Sequence, residues 1–303
     1  MKQKARIIVL IVTFFSALLC AVRVALSQSN RAPGEPTNLG HFQQSYDFDG
    51  STSSLSSPNY AQQSSESTTP NHPTFLQGSV MHSEHLAPVE GLKVGTEFDQ
   101  AKALQSAAPK RVWFRVPPWL AGRWQEEQFT QTFCSNYKTG VKNSTQQTHN
   151  AQTTERWGLQ RDSAGGIWDV IDLPYLDTTT SDKHVWKDLH TDDSMVFDSD
   201  VKVITRLYAT RTVADKTTNL ITDINQTECF STFTMAGMDM IKTEYSMKEF
   251  DQQGNPIDLR EGFRVAHKIA PFQVGDFLRG EDMRPSFRDY LINHGMANLV
   301  PTD

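Results

Sequence analysis

Cysteine is scarce in this chain. Its 303 residues hold three, and one of them, Cys20, falls inside the N-terminal apolar run. There is no Cys-x-x-Cys, so a thioredoxin-like redox motif and a thiolate zinc knuckle are excluded. Gly-x-Ser-x-Gly, the phosphate-binding P-loop and the dinucleotide glycine fingerprint are missing as well. No nucleophile stands beside an obvious base. The expectation is therefore a protein without catalytic residues, without a cofactor and without a metal. Basic residues are also few: 29 against 35 acidic ones, for a net charge of −6. Residues 1–27 carry Lys2, Lys4, Arg6 and Arg23 and no acid, so the remainder has 25 basic and 35 acidic residues, or −10. Phosphate contacts need a surplus of Lys and Arg, which excludes nucleic acid as a general partner.

Long apolar runs are missing too, with one exception. Residues 7–22 are apolar apart from Thr13 and Ser16, and they follow the basic stretch Met1-Lys2-Gln3-Lys4-Ala5-Arg6. Sixteen residues is long for the core of a secretory signal and short for a full membrane span. Ala25-Leu26-Ser27 offers small residues before a cut at Gln28. Residues 1–27 read as a cleaved signal or as a retained anchor with its basic end in the cytoplasm. Either fate puts the rest of the chain in a secreted, periplasmic or other extracytoplasmic place. The membrane is then touched only through the N-terminal segment, and only if it is uncleaved.

From residue 28 to about residue 95 Ser, Gln, Thr and Pro dominate, as in Ser51-Thr52-Ser53-Ser54-Leu55-Ser56-Ser57-Pro58. Too few apolar residues stand here to offset the entropy of ordering, so a disordered spacer is expected. Phe42, Tyr46, Phe48, Tyr60 and Phe75 are scattered through it. His82-Ser83-Glu84-His85 has an H-x-x-H spacing, but two ligands do not define a zinc site. Phe98, Ala101 and Leu104 recur at three-residue steps and predict a short helix within a lead-in segment, residues 96–112.

Folded structure is expected from residue 113 onward. Val116-Pro117-Pro118 is extended, and Gly122 turns the chain into an alternating segment headed by Trp124. Turn signals then divide the chain. Ser163-Ala164-Gly165-Gly166 precedes a strand at 167–173, and residues 174–182 read as a loop. Residues 201–213, 220–233, 238–250 and 257–269 read as four long strands joined by short turns, an antiparallel meander. Seven or eight strands in all is the number that closes a small barrel. Residues 271–303 read as an extension in which Ser286 caps a short helix over 287–293 that docks through Phe287, Tyr290 and Leu291.

Gly122-x-Trp124 at the head of such a meander, with a C-terminal helix after it, resembles the lipocalin/calycin superfamily. The resemblance implies a mainly β fold: a lipocalin-like antiparallel up-and-down barrel of about eight strands over residues 113–270. It implies that Trp124 packs at one end of the barrel, with a basic residue of the last strand across it, Arg264 or Lys268. It also implies an interior that holds a hydrophobic or amphipathic molecule, a lipid-like partner. Trp124, Glu126, Gln226, Glu228, Met240 and Glu244 are the candidate ligand-binding residues. Which strand faces point inward stays open, because a one-position slip inverts every assignment. If Ile221, Cys229, Phe233, Ile241, Tyr245 and Met247 point inward instead, they fill a packed interior. The alternative function is a structural or adaptor protein of the cell envelope that meets another protein through its surface.

Two further groups complete the reading. Cys134 and Cys229 form a disulfide or remain two buried thiols. Asp182, His184, Asp188, His190, Asp192, Asp193, Asp198 and Asp200 are dense in acid but lack the spacing of a calcium loop, so a solvated acidic loop is expected.

Overall fold

The computed structural model describes Gln43–Ser45 and residues 82–302. The expected signal or anchor and most of the expected spacer, with its scattered aromatics, lie outside the described residues. The first described strand is β1 (Gln43–Ser45), and α1 (Gln100–Gln105) follows. Next come β2 (Lys110–Val116), β3 (Gly122–Asn136), β4 (Lys142–Asn143) and β5 (Gln147–Trp157). β6 (Gln160–Arg161), β7 (Ile167–Leu173), β8 (Tyr175–Thr180) and β9 (His184–Ser199) continue the chain. The long meander is β10 (Lys202–Asp215), β11 (Ile221–Gly237), β12 (Met240–Asp251) and β13 (Pro256–Ala270). A small hairpin, β14 (Phe277–Leu278) and β15 (Glu281–Asp282), leads into α2 (Arg284–Asn293). No helix among the described residues is long and apolar enough to cross a membrane.

The fold is mainly β and antiparallel. One large sheet runs β1-β5-β3-β13-β12-β11-β10-β9-β8, with β4 on β3, and a second runs β2-β7-β6. β3 joins the far side of the meander: it pairs with β13, Trp124 opposite Lys268 and Glu126 opposite Ala266. The edges β1/β5 and β8 are not paired with each other among the described residues, so no closed barrel is found. The reason lies in the chain between β5 and β8. β7 pairs along its whole length with β2 and, at its start, with β6, instead of continuing the ladder from β5.

Alternation in the small sheet explains how the layers stack. Phe114 and Val116 of β2 and Ile167 of β7 pack toward the large sheet, in a core with Leu120, Trp124, Trp157 and Phe233. Trp113, Trp168 and Val170 point the other way and meet Phe287 and Leu291 of α2. The helix thus docks on the small sheet. It begins earlier than expected, because Asp282 accepts the Arg284 amide at 3.0 Å and Pro285 suits the first turn. Ser286 sits inside the helix and receives the Trp113 indole N–H at 3.3 Å, so it is not the cap. At the other helix, Asp99 caps α1 through the Lys102 amide.

Residues 174–200, expected as a loop and a solvated acidic segment, are two strands instead. In β9 Trp186, Asp188, Leu189 and His190 are buried. Asp188 is held by Arg211 of β10 at 2.8 Å. The density of acid concealed a strand whose inward carboxylate has its own arginine.

Cys134 and Cys229 are not bridged to each other. Register explains why they do not bridge. Cys229 lies opposite Met247, Met247 opposite Arg260, and Arg260 opposite Cys134. Three strand spacings separate the cysteines by about 14 Å, twice the reach of a disulfide.

Candidate functional site

The small sheet stands over the inner face of the large one and leaves a cleft between them. The cleft has a cavity of about 50 Å³, walled by Phe114, Trp157, Ile171, Met195 and Leu207. Its polar members include Asp172, Tyr175, Asp193 and Arg279. Arg279 lies 4.0 Å over the Tyr175 ring and donates to the Asp172 carbonyl at 2.9 Å. Tyr175 also stacks on His190, with ring centres 4.2 Å apart. Burial, then Asp193 and Asp177, push the Tyr175 hydroxyl well above the ordinary phenol value, so it remains a neutral donor. Asp172 is fixed a second time by Arg111 at 2.7 Å.

One end of the inner face is stopped by Trp124, which is 1% exposed and donates its indole N–H to the Leu120 carbonyl at 2.7 Å. Gly122 is required there: its φ is +136°, and a Cβ would sit 2.7 Å from the Ala270 carbonyl oxygen. Of the two basic candidates, Lys268 takes the place on the tryptophan, its ammonium 4.7 Å from the ring. Arg264 is instead drawn to Glu126 at 3.0 Å and Glu155 at 3.2 Å. Desolvation is the largest influence on Glu126 and raises its pKa to about 7. Arg264 and Thr153 oppose that shift, and Glu155 adds to it.

The other candidate ligand residues do not join this group. Gln226 and Glu228 are buried on the opposite, outer face of the sheet. Glu244 is an exposed partner of Lys242 at 2.8 Å, and Met240 is half-buried at the start of β12. Phe233 and Ile241 belong to the inner core, so that parity points inward at the Trp124 end. Ile221 departs from it, packing with Phe98 and Leu189 instead. The cause is the irregular register between β10 and β11 at Val213/Ala214.

What buries the outer face is residues 82–98, a segment counted with the spacer up to residue 95 and with the lead-in beyond it in the sequence reading. It lies across β11 and β12 as a strap. The Leu86 amide donates to Gly254, Val89 to Gln252 and Gly95 to Ile221. Gln226 holds the Ala87 carbonyl, and Lys248 holds that of Ser83. Glu228 is the anchor, accepting from the Ser83 amide at 2.8 Å, from the Ser83 hydroxyl, from His82 Nδ1 at 3.0 Å and twice from Arg206. Desolvation pushes Glu228 upward. The donors from His82, Ser83 and Arg206 together outweigh it and bring the pKa to about 2.

His82 Nε2 also lies 2.9 Å from Ser246 Oγ, which completes a serine–histidine–carboxylate line. Ser246 is 1% exposed, and its hydroxyl also meets the Glu261 carboxylate. With its hydroxyl buried and engaged by both His82 and Glu261, Ser246 serves the line as a clamp on the strap. Sequence reasoning noticed His82 only for its H-x-x-H spacing. Its true partners are about 150 residues away, and no local signal marks them.

His184 and His190 stand six residues apart on one strand, about 20 Å, which is too far to share a metal ion. Among the described residues no group of three or more His, Cys, Asp or Glu side chains is placed to hold one. Comparison with family models, curated proteins and solved structures finds no match.

Proposed function

We propose that this chain is an exported binding protein of lipocalin-like build, with the apolar part of a small amphipathic molecule held in the cleft between the two sheets. The observation that carries this reading is the cleft itself: an aromatic and aliphatic wall with Tyr175, Asp193 and Arg279 gathered among it. Binding sites commonly combine an apolar wall with a few placed polar groups. The pairing of β3 with β13 and the position of Lys268 over Trp124 agree with the barrel that Gly122-x-Trp124 suggests. A cavity of about 50 Å³ admits the end of a chain, not an entire lipid. The ligand's polar part then rests on Arg279 and Tyr175.

The test is native mass spectrometry of the chain purified from an exporting host, followed by titration with a fluorescent fatty-acid probe. A co-purifying small mass is expected, together with probe binding that Leu207→Trp abolishes by filling the cleft while the unfolding transition is kept. Equal probe binding by the native chain and by Leu207→Trp ends the reading.

A further inference from the structure

The end of the molecule below Trp124 carries a surface that neither the cleft nor the strap uses. Four pieces meet there: the β9–β10 turn, the β11–β12 turn, the loop before β3 and the end of β13. They are tied into one rigid frame. The Met235 amide donates to the Val201 carbonyl at 3.2 Å, the Trp119 indole to Asp200 at 2.6 Å and the Lys268 amide to Asp239 at 3.0 Å. On that frame Met238 is 95% exposed, and Phe197, Val201, Met235 and Ile269 are each 42–47% exposed. A single exposed apolar residue needs no explanation, but a set of them on adjoining tips does. Both turns also carry Met or Val where turn chemistry favours small polar residues.

We propose that this end rests on a phospholipid surface, with Met238 and Met235 dipping into the interface and Trp119 beside them. The sequence of the chain and the charge of the tips point to lipid as the occupant. The chain has its own membrane-seeking stretch, the apolar residues 7–22 behind a basic start. The described strap also runs away from these tips. It passes from His82, level with Glu228, to Leu86 at Gly254 and then to Phe98 at Asn219, both at the opposite end. The strap therefore leaves the Met238 tips uncovered. Charge at the tips is balanced, Lys202 and Lys268 with Asp200 and Asp239, in a chain that is otherwise acidic. A zwitterionic surface fits that balance better than an anionic one. A half-buried tryptophan with its N–H bonded is at home at such an interface.

Hydrogen exchange of the full chain, with and without phosphatidylcholine vesicles, tests this. Amides of residues 199–202 and 235–240 are expected to slow several-fold on vesicles, while those of residues 251–255 at the opposite end stay as they are. The double variant Met235→Asp, Met238→Asp is expected to lose that slowing. The control is that β12 and β13 exchange in the double variant as in the native chain. Vesicle-bound protein whose 235–240 turn exchanges as it does free in solution overturns the proposal. So does equal slowing at both ends, or a failure to associate with the vesicles.

Discussion

Two glutamates of one sheet are buried almost equally and behave in opposite ways. Glu126, on the inner face, is 2% exposed and holds its proton up to about 7. Glu228, on the outer face, is 1% exposed and stays ionised down to about 2. Burial raises both, and more strongly at Glu126, which has more protein packed around it; the rest of the difference lies in what reaches them. Glu228 draws on one arginine for itself, a histidine, a hydroxyl and a backbone amide. Glu126 shares Arg264 with a second carboxylate, Glu155, and has one hydroxyl besides, that of Thr153. Donors per charge, together with depth, decide whether a buried carboxylate can ionise. The outer face uses such a charge to fasten a strap, whereas the inner face keeps a carboxylate that holds its proton beside its core.

The largest way to break this contrast is Arg264→Met. It keeps most of the volume but leaves two carboxylates without their cation, at a cost of roughly 3–5 kcal/mol in urea unfolding at neutral pH. Adding Glu126→Gln should return part of that loss. The same change at Arg206 should cost less, because Glu228 keeps three donors and the arginine is partly solvated. Next in size is Glu228→Ala. It strands the His82 and Ser83 donors at a cost of roughly 1–3 kcal/mol. The loss should be local: limited proteolysis should cut within residues 82–98 first, while β12 and β13 keep their protection against hydrogen exchange. A cut pattern unchanged from the native chain would show that the apolar contacts of Val89 and Leu92 hold the strap without its anchor.

How much of this could be read beforehand follows from the range of each interaction. The meander from β10 to β13 was legible because period-two alternation and short turns are local properties. Gly122 and Trp124 were legible because a positive φ and a buried indole leave a short motif. β9 was missed because its acids imitate a solvated loop, and only the pairing with β10 supplies Arg211 to Asp188. The strap was missed for a similar reason. His82 and Ser83 sit in polar sequence, and the groups that order them are about 145–165 residues further on. The small sheet escaped because β2 and β7 are joined through pairing across 60 residues, which no periodicity encodes.

Acidity separates the two glutamates by sign. An unfolded Glu126 loses its proton near its ordinary value of 4.5, but the folded one does so near 7. Between those values the folded state binds more protons, so this group's contribution to stability is whole below 4.5 and declines as pH rises through 7. For Glu228 the folded value lies below the ordinary one, so its contribution is whole above 4.5 and declines as pH falls toward 2. Urea midpoints taken from acid to neutral pH should therefore fall on both sides of a maximum on the acidic side of neutrality. Glu126→Gln should remove the neutral slope and leave the acid one.

The smallest expected effect comes from the other cation of the inner face. Lys268 lies over Trp124 and reaches the Trp119 carbonyl at 3.4 Å. Its partner is a neutral ring, so Lys268→Met strands no buried charge and keeps an apolar stem over the indole. The loss should be the cation–ring attraction and the long bond to the Trp119 carbonyl, about 0.5–2 kcal/mol. Thermal unfolding of this variant beside Arg264→Met sharpens the comparison. If the two cost the same, the ammonium itself holds this end of the sheet closed. If Lys268→Met is the milder, as expected, the end is held by Leu120, Trp124 and Phe233 packing together, and charge matters on this face only where a carboxylate is trapped beside it.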